Sequence, residues 1–267
     1  MYEQYYGLSE KPFSLTPDTE FFYQSFTHSE ALSMLLVSIR AGDGFIKVTG
    51  EVGTGKTLLC RKLLDALEPE FDTVYIPNPY MNCNALLDAV VVEMGIADRL
   101  EQDNYMACIN EYLIANACQG RATVIILDEA QSLPEQSLEA IRLLSNLETG
   151  KQKLVQIVLF GQPELDARLA QSSIRQLQQR IMHAYQLQPL NRDSVRSYLM
   201  HRVKSAGYRG PELFDTGALR RLYKLSQGIP RVINVLCNKA LMLSYASGEY
   251  YVNSKHIEAA AADSQLQ

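Results

Sequence analysis

The sequence predicts an α/β fold followed by a small all-helical domain, and three observations support this prediction. Residues 50–57 match a phosphate-binding loop between a strand pattern and a helix pattern. Residues 122–127 form an unbroken apolar run rich in β-branched side chains, which is typical of a strand buried in a parallel sheet. Strand patterns end near residue 189, and only amphipathic helix patterns follow. The predicted parts are an aromatic-rich N-terminal strap at 1–27, an α/β domain at 28–189 and a helical domain at 190–267.

The first 27 residues are rich in aromatic side chains, and Pro12 and Pro17 favour an extended backbone. We interpret this segment as a strap that packs across the α/β core. A tail that binds a partner protein is the alternative interpretation. Residues 28–39 then predict a helix, which leads into the strand at 44–49.

Beyond the phosphate loop, helix and strand patterns alternate as far as residue 189. Ser132 is expected to cap one helix, with Pro134 in its first turn and Glu135 completing a capping box, and Gly150 is expected to follow its end. The helix patterns cover 57–67, 82–94, 104–118, 132–147 and 174–179, and the strand patterns cover 73–76, 122–127, 154–160 and 184–187.

Four helices are predicted in the helical domain. Apolar residues between Val195 and Val203 recur at helical spacing and mark the first of them. Asp215 is a capping residue for the second, Pro230 opens the third, and Ser254 begins the fourth.

Composition narrows the class of protein. With 47% hydrophobic and 21% charged residues, the 267-residue chain has the make-up of an ordinary globular protein. A net charge of −5 provides no overall attraction for nucleic acid. The five cysteines form no C-x-x-C pair, so neither a zinc site nor a disulfide framework is indicated. Neither a signal peptide nor a stretch of ~20 apolar residues is present, so a cytoplasmic location is expected, with docking onto a membrane partner left open.

The loop at 50–57 fits the pattern G-x-x-x-x-G-K-[ST], which wraps the phosphates of a nucleoside triphosphate. Glycines let backbone N–H groups turn toward anionic oxygens, Lys56 adds a positive charge for the β- and γ-phosphates, and the Thr57 hydroxyl can bind Mg²⁺. The helix that follows directs the positive end of its dipole toward the same phosphates. The predicted nucleotide-binding residues are Gly50, Glu51, Val52, Gly53, Thr54, Gly55, Lys56 and Thr57.

Two adjacent carboxylates end the most buried strand pattern. Ligands of parallel α/β sheets lie beyond the carboxyl ends of the strands, so Asp128 and Glu129 are expected at the same edge as the loop. Asp128 can share Mg²⁺ with Thr57, and Glu129 can deprotonate the water that attacks the γ-phosphate. A base for water favours hydrolysis over transfer to a small acceptor, which disfavours a metabolite kinase.

Gln162 follows the strand pattern at 154–160 and would reach the same edge of the sheet. There its amide could position the water or respond to loss of the γ-phosphate. A loop glutamine without such a role is the alternative. Arg231 lies in the first turn of the third helix of the helical domain, where the helix dipole disfavours a cation. A bound phosphate would compensate, so Arg231 is a candidate contact for the γ-phosphate.

Arg180 follows the helix pattern at 174–179 and could insert into the site of a neighbouring subunit, where it would neutralise transition-state charge. Arg175 competes for this role, and a solvated surface cation is the alternative for both. The candidate catalytic residues are therefore Glu129, Lys56, Gln162, Arg180 and Arg231.

Together these residues resemble the AAA+ ATPases, and the resemblance extends over nearly the whole chain. Within that superfamily the sequence is similar to the general secretion pathway protein A (ExeA) branch. The segments that carry this similarity are Tyr6-Gly7-Leu8, Lys11–Asp18, His28–Leu32, Asp128–Gln131 and Gly161–Leu165.

The resemblance implies a P-loop fold with a five-stranded parallel sheet, helices on both faces and a helical lid. It also implies ATP and Mg²⁺ as ligands, and homo-oligomers (rings or dimers) with sites at subunit boundaries. Some members of the branch carry a transmembrane helix and a periplasmic peptidoglycan-binding part. Neither is expected in this chain, which is more similar to the short members of MSHA-type pilus biogenesis.

The implied function is ATP hydrolysis that drives or regulates assembly of a type IV (MSHA-type) pilus or a type II secretion apparatus at the inner membrane. An ATP-dependent DNA-binding regulator of transposition or replication is the alternative, and a nucleotide-binding scaffold that barely turns over is a third. The DNA-binding alternative requires a basic face, for which the candidates are Arg192, Arg196, Arg202, Lys204, Arg209, Arg220, Arg221 and Lys224.

Overall fold

The computed structural model describes residues 2–16, 18–68, 70–99, 104–148 and 153–264. In these ranges the chain divides into two units, and each is described by itself. An α/β unit comprises His28–Gly50 and Leu59–Leu187, and a helical unit comprises Met1–Thr27, Glu51–Leu58 and Gln188–Gln267. Pro17 and Gly150, to which the sequence analysis assigned structural roles, lie outside the described residues.

Five parallel strands form the sheet of the α/β unit. They are β1 (Phe45–Gly50), β2 (Asp72–Ile76), β3 (Thr123–Leu127), β4 (Val155–Gly161) and β5 (Ile181–Leu187). Their spatial order is β2-β3-β4-β1-β5, and every neighbouring pair is parallel. This confirms the predicted five-stranded parallel sheet. Because Leu127 pairs with Leu159 in the register of β3 and β4, the segments that follow these strands leave the same edge of the sheet.

Helices cover both faces of this sheet, as predicted. One face buries Ile125 and Leu127, and the other buries Val124 and Ile126, because successive side chains of a strand point to opposite faces. The helices of this unit are α2 (Phe26–Ala41), α3 (Lys56–Leu67), α4 (Cys83–Glu93), α5 (Tyr105–Cys118), α6 (Glu135–Leu144), α7 (Glu164–Leu169) and α8 (Arg175–Gln178).

Helix α6 begins later than the sequence analysis expected. Residues Ala130–Ser132 form a 3₁₀ turn, and Pro134 occupies the N-cap position without a side-chain hydrogen bond. Ser132 is therefore not the capping residue, and its Oγ instead donates to the carbonyl of Glu129 at 2.8 Å. The prediction of a capping box at this helix was wrong, because Ser132, the expected capping residue, belongs to the 3₁₀ turn that follows β3.

The helical unit contains α1 (Tyr2–Tyr6), α9 (Arg192–Ser205), α10 (Thr216–Ser226), α11 (Pro230–Ala246) and α12 (Ser254–Asp263). The last four are the helices predicted after residue 190. Asp215 caps α10 by accepting a hydrogen bond from the backbone of Ala218 at 2.6 Å, and Pro230 is the first residue of α11. Asn253 and His256 form a capping box at α12, which the sequence analysis did not find.

The N-terminal segment packs within the helical unit. Its buried aromatic side chains, which include Tyr6 and Phe13, belong to the same apolar cluster as residues of α9, α10, α11 and α12. The guanidinium of Arg202, on α9, donates to the backbone carbonyl of Pro12 at 2.6 Å and lies over the Phe21 ring. The sequence analysis expected a strap across the α/β core, and this expectation is corrected because these aromatics are buried in the core of the helical unit.

Candidate active site

The phosphate loop follows β1 and leads into α3, as the motif requires. Gly53 has a φ of +83° and Gly55 a φ of +99°, a backbone region that residues with a side chain rarely adopt. Thr54 closes the turn, since its Oγ1 donates to the carbonyl of Glu51 at 2.8 Å. Successive backbone N–H groups in such a turn can form an anion-binding concavity.

Lys56 is held inside this loop. Its side chain is buried, and Nζ donates to the carbonyl of Glu51 at 3.0 Å. Lys56 is also the first residue of α3, so a positive charge and the positive end of a helix dipole coincide. A desolvated ammonium at a helix N-terminus favours an anionic ligand, which fits a triphosphate.

Arg231 and the phosphate loop lie in the same unit and are in contact. The backbone N–H of Arg231 donates to the carbonyl of Gly53 at 3.2 Å, and the side chain of Arg231 is exposed. A Cβ atom at Gly53 would lie 2.5 Å from Cβ of Arg231 and 3.2 Å from Cγ2 of Ile229. Glycine is therefore required at position 53 for its φ and for the close approach of α11.

We expect Gly53→Ala to lower the thermal midpoint more than Gly120→Ala, which is the matched control. Gly120 has a φ of +76° but open space around it, so its substitution should cost only the backbone strain, about 1 kcal/mol. Gly53→Ala adds an overlap with Arg231 that should cost about 1–3 kcal/mol more. Thermal unfolding followed by circular dichroism measures both. Equal midpoints for the two variants would contradict the close approach at Gly53.

The predicted catalytic carboxylates follow β3. Asp128 is buried, and one of its oxygens, Oδ1, accepts the backbone N–H of Glu129 at 2.9 Å. Glu129 has φ 53° and ψ 37°, a left-handed conformation that costs a residue with a side chain about 1–3 kcal/mol. This backbone conformation turns the chain at the end of β3, before the 3₁₀ turn at Ala130–Ser132.

The side chain of Glu129 is held by two amides. Its Oε2 accepts from Nε2 of Gln131 at 2.5 Å and from Nε2 of Gln162 at 3.0 Å. The structure thus brings Gln162 to Glu129 at the carboxyl edge of β3 and β4, where the sequence analysis expected it. Gln131 was not among the predicted site residues. It does end the segment Asp128–Gln131, which carries part of the family resemblance, and this is the signal that could have found it.

The groups beside Asp128 within the α/β unit remain protonated at neutral pH. Burial raises the pKa of the Cys60 thiol well above its usual value, and the nearby charge of Asp128 raises it further. Burial also raises the pKa of Tyr75, and electrostatic interactions with Cys60 and Asp128 raise this pKa further. Cys60 is therefore a neutral core residue and not a nucleophile.

Arg180 and Arg175 occupy different environments. Arg180 is half-buried, and its Nη1 donates to Oγ of Ser145 within the same chain at 2.9 Å. Arg175, at the start of α8, is exposed and makes no side-chain hydrogen bond or ion pair with any described residue. Of the two arginines, Arg175 has the more exposed side chain.

Fewer of the cations predicted for a DNA-binding face are exposed and unpaired in the structure than the sequence suggested. Arg202 is buried among residues of the N-terminal segment, so it cannot contact a phosphate backbone. Arg196 pairs with Glu212, and Arg221 pairs with Glu258. Three of the eight candidate cations are thus buried or neutralised. The expectation that Arg202 belongs to an exposed basic face is corrected.

Magnesium would have one carboxylate, Asp128, and one hydroxyl, Thr57, among the predicted ligands. Mg²⁺ commonly binds to one or two protein groups and completes its shell with phosphate oxygens and water. In the described parts of the chain, no group of three or more His, Cys, Asp or Glu side chains is arranged to hold a metal. Asp128 and Thr57 each offer an oxygen donor, the type of ligand that Mg²⁺ prefers.

Comparisons with known proteins show which sequences and folds this chain is similar to. A family model described as an AAA domain matches residues 39–169. General secretion pathway protein A of Aeromonas hydrophila is 42% identical over 265 residues, which cover 98% of this chain and 48% of that protein. The chain thus spans about half the length of this curated relative. No helix in the described ranges is long and apolar enough to cross a membrane.

Solved structures show the same fold at low sequence identity. The chain matches Aeropyrum pernix ORC2, solved as ADPNP-ADP complexes, with a TM-score of 0.68 and 16% identity over 96% of this chain and 71% of that one. It matches Pyrobaculum aerophilum Cdc6p with a TM-score of 0.70 and 17% identity over 94% and 70% of the two chains. The match to the Thermotoga maritima RuvB motor has a TM-score of 0.59 and 16% identity, and covers 91% and 72%.

Proposed function

Because this chain is an AAA-domain protein related to general secretion pathway protein A, we propose that it binds ATP with Mg²⁺ and hydrolyses it. The observation that carries the proposal is the position of Glu129. A left-handed backbone and two amide donors hold its carboxylate beside the buried Asp128, at the carboxyl end of β3. The phosphate loop leaves the carboxyl end of β1 in the same sheet, and parallel α/β sheets bind ligands at this edge.

Each residue then has a chemical role. The loop at 50–57 surrounds the phosphates with backbone amides, and Lys56 neutralises the β- and γ-phosphates. Thr57 and Asp128 would hold Mg²⁺, which neutralises charge that develops on the phosphate oxygens. Glu129 takes a proton from the attacking water. Gln162 donates to the Glu129 carboxylate and would keep it oriented toward that water.

Arg231 would connect nucleotide binding to the helical unit. Its backbone contacts the loop through Gly53 and its side chain is exposed, which supports Arg231 as the residue that binds a phosphate on that loop. A phosphate near the first turn of α11 would also offset the unfavourable interaction of Arg231 with the helix dipole. Loss of the γ-phosphate would remove this contact, so the position of α11 would depend on the state of the nucleotide.

A phosphate-release assay tests the proposed activity. The protein should release phosphate from ATP when Mg²⁺ is present and should stop when EDTA is added. Isothermal calorimetry should detect ATP binding to the same preparation. Protein that binds ATP but releases no phosphate under any assembly condition would support the nucleotide-binding scaffold instead.

We further propose that the active site is completed by a neighbouring copy of the chain, through Arg175. Lys56→Ala and Arg175→Ala proteins should each lose activity. Their equimolar mixture should recover about a quarter of the parental rate, because one subunit boundary in four then joins an intact loop to an intact arginine.

The same mixing experiment with Arg180→Ala identifies which arginine acts. If Arg180 has only the structural role of donating to Ser145, Arg180→Ala protein should remain active by itself. Mixing it with Lys56→Ala protein should then give no additional activity. Recovery with Arg180→Ala in place of Arg175→Ala would assign the finger to Arg180. Recovery with neither arginine, at concentrations where the protein assembles, would contradict a shared site.

The relative's name supports a secretion-related role, and we propose that the partner is an inner-membrane component of a type II secretion or MSHA-type pilus apparatus. A chromosomal Glu129→Gln replacement should then reduce surface pili or secreted protein while the protein remains at its usual level. Unchanged pili and secretion in that strain would contradict this partner class.

A further inference from the structure

Gln131, Glu129 and Gln162 form a closed set of hydrogen bonds. The amide of Gln131 uses both ends: Nε2 donates to Oε2 of Glu129, and Oε1 accepts the backbone N–H of Gln162 at 3.0 Å. A backbone N–H can only donate, so the orientation of the Gln131 amide is determined by this contact. Its NH₂ group must therefore face the Glu129 carboxylate.

The backbone of Gln131 is anchored as well as its side chain. Arg168, on α7, donates from its two terminal nitrogens to the carbonyls of Gln131 and Leu133. A Cβ atom at Gly161 would lie 3.3 Å from Oε1 of Gln131 and 2.7 Å from Leu165, so the strand end leaves room for the amide only because position 161 is glycine. Two neighbouring elements, β4 and α7, thus hold Gln131 in one position.

We infer that Gln131 is a positioning residue for the proposed reaction: it occupies Oε2 of Glu129 and leaves Oε1 to accept the proton from water. This inference rests on the proposed function. A carboxylate on a strained left-handed backbone has several rotamers, and a general base must lie within hydrogen-bond reach of its proton. The contacts of Gln131 select one rotamer before the nucleotide binds, which lowers the entropic cost of reaching the reactive geometry.

Two substitutions of Gln131 distinguish the role of its amide NH₂ donor from that of its amide oxygen acceptor. Gln131→Met keeps the length of the side chain and removes both hydrogen bonds. Gln131→Glu keeps the acceptor for the Gln162 N–H and replaces the donor to Glu129 with a second carboxylate. Each should lower kcat by roughly 10- to 100-fold, as loss of an orienting partner does at other sites, with KM and the Kd for ATP changed by less than about twofold. Gln136→Met, on the exposed side of α6, is the matched control and should keep the parental kcat.

A double-substitution cycle distinguishes positioning from a merely structural role. In a Glu129→Gln background, Gln131→Met should cause no further loss, because the base that it positions is already absent. Arg168→Lys keeps a cation but cannot bond both carbonyls, so it should show a smaller loss in kcat and the same lack of effect in that background. This variant provides the test if Gln131→Met does not fold.

Two results would overturn the inference: a parental kcat for Gln131→Met, or an equal loss with and without Glu129. A failure of the proposed function would look different, since the unsubstituted protein would then release no phosphate at all.

Discussion

Lys56→Ala should abolish detectable ATP binding while the fold stays intact. The buried ammonium lies in the phosphate loop at the N-terminus of α3, so its removal takes away the charge nearest the β- and γ-phosphates. Truncation of one partner of a buried charged hydrogen bond costs about 2–5 kcal/mol, which corresponds to a loss in affinity of roughly 30- to 5,000-fold. Isothermal calorimetry with ATP and Mg²⁺ measures this loss.

Lys62→Ala is the control for this substitution. Lys62 lies on the same helix, is partly exposed and makes only a long ion pair with Asp65 at 3.8 Å. Its removal changes the net charge by the same amount and leaves the loop untouched, so ATP affinity should stay close to the parental value. If Lys56→Ala binds ATP as tightly as Lys62→Ala does, the loop is not the phosphate site.

Glu129→Gln should retain ATP binding and reduce turnover by about 10²–10⁴-fold, the usual contribution of a general base. The amide has nearly the same shape as the carboxylate and can still accept a hydrogen bond from Gln131 or Gln162. It cannot take a proton from water. The expected result is therefore a protein that forms the ATP complex and holds it, which a single-turnover phosphate-release measurement would show.

Glu135→Gln is the matched control for the base. Glu135 is an exposed carboxylate in the first turn of α6, six residues after Glu129, and its loss should leave turnover unchanged. Hydrolysis by Glu129→Gln at the parental rate would show that another group activates the water. In that case the hydrogen bonds to Gln131 and Gln162 would have a structural role only.

Strands buried on both faces were the elements best predicted from sequence. Every residue of β3 and of β4 is buried, so both strands have largely apolar sequences, which in β4 include one buried polar side chain, Gln156. The edge strand β5 was found only from residue 184, whereas it begins at Ile181. Its side chains alternate between half-buried and exposed because β5 pairs with β1 alone, so its first residues carry no strong apolar signal.

Several features of the candidate site could not be found in the sequence. Nothing in the local sequence indicates that the chain turns through a left-handed Glu129 and a 3₁₀ turn before α6, and the predicted cap at Ser132 failed for this reason. The hydrogen bond from Arg180 to Ser145 also joins residues far apart in the chain, so the sequence did not show that this guanidinium has a partner.

The order of strand, loop and helix, the two carboxylates after β3 and the chemistry of the phosphate loop were determined by sequence alone, since each depends on neighbouring residues and on burial that is visible in a short window. The tertiary structure alone decided that Gln131 and Gln162 meet at Glu129, that α11 approaches Gly53, and that Arg202 is buried by the N-terminal segment. These contacts join residues far apart in the chain, or depend on a turn with no local signature. They follow from strand order, register and packing, which a one-dimensional pattern does not specify.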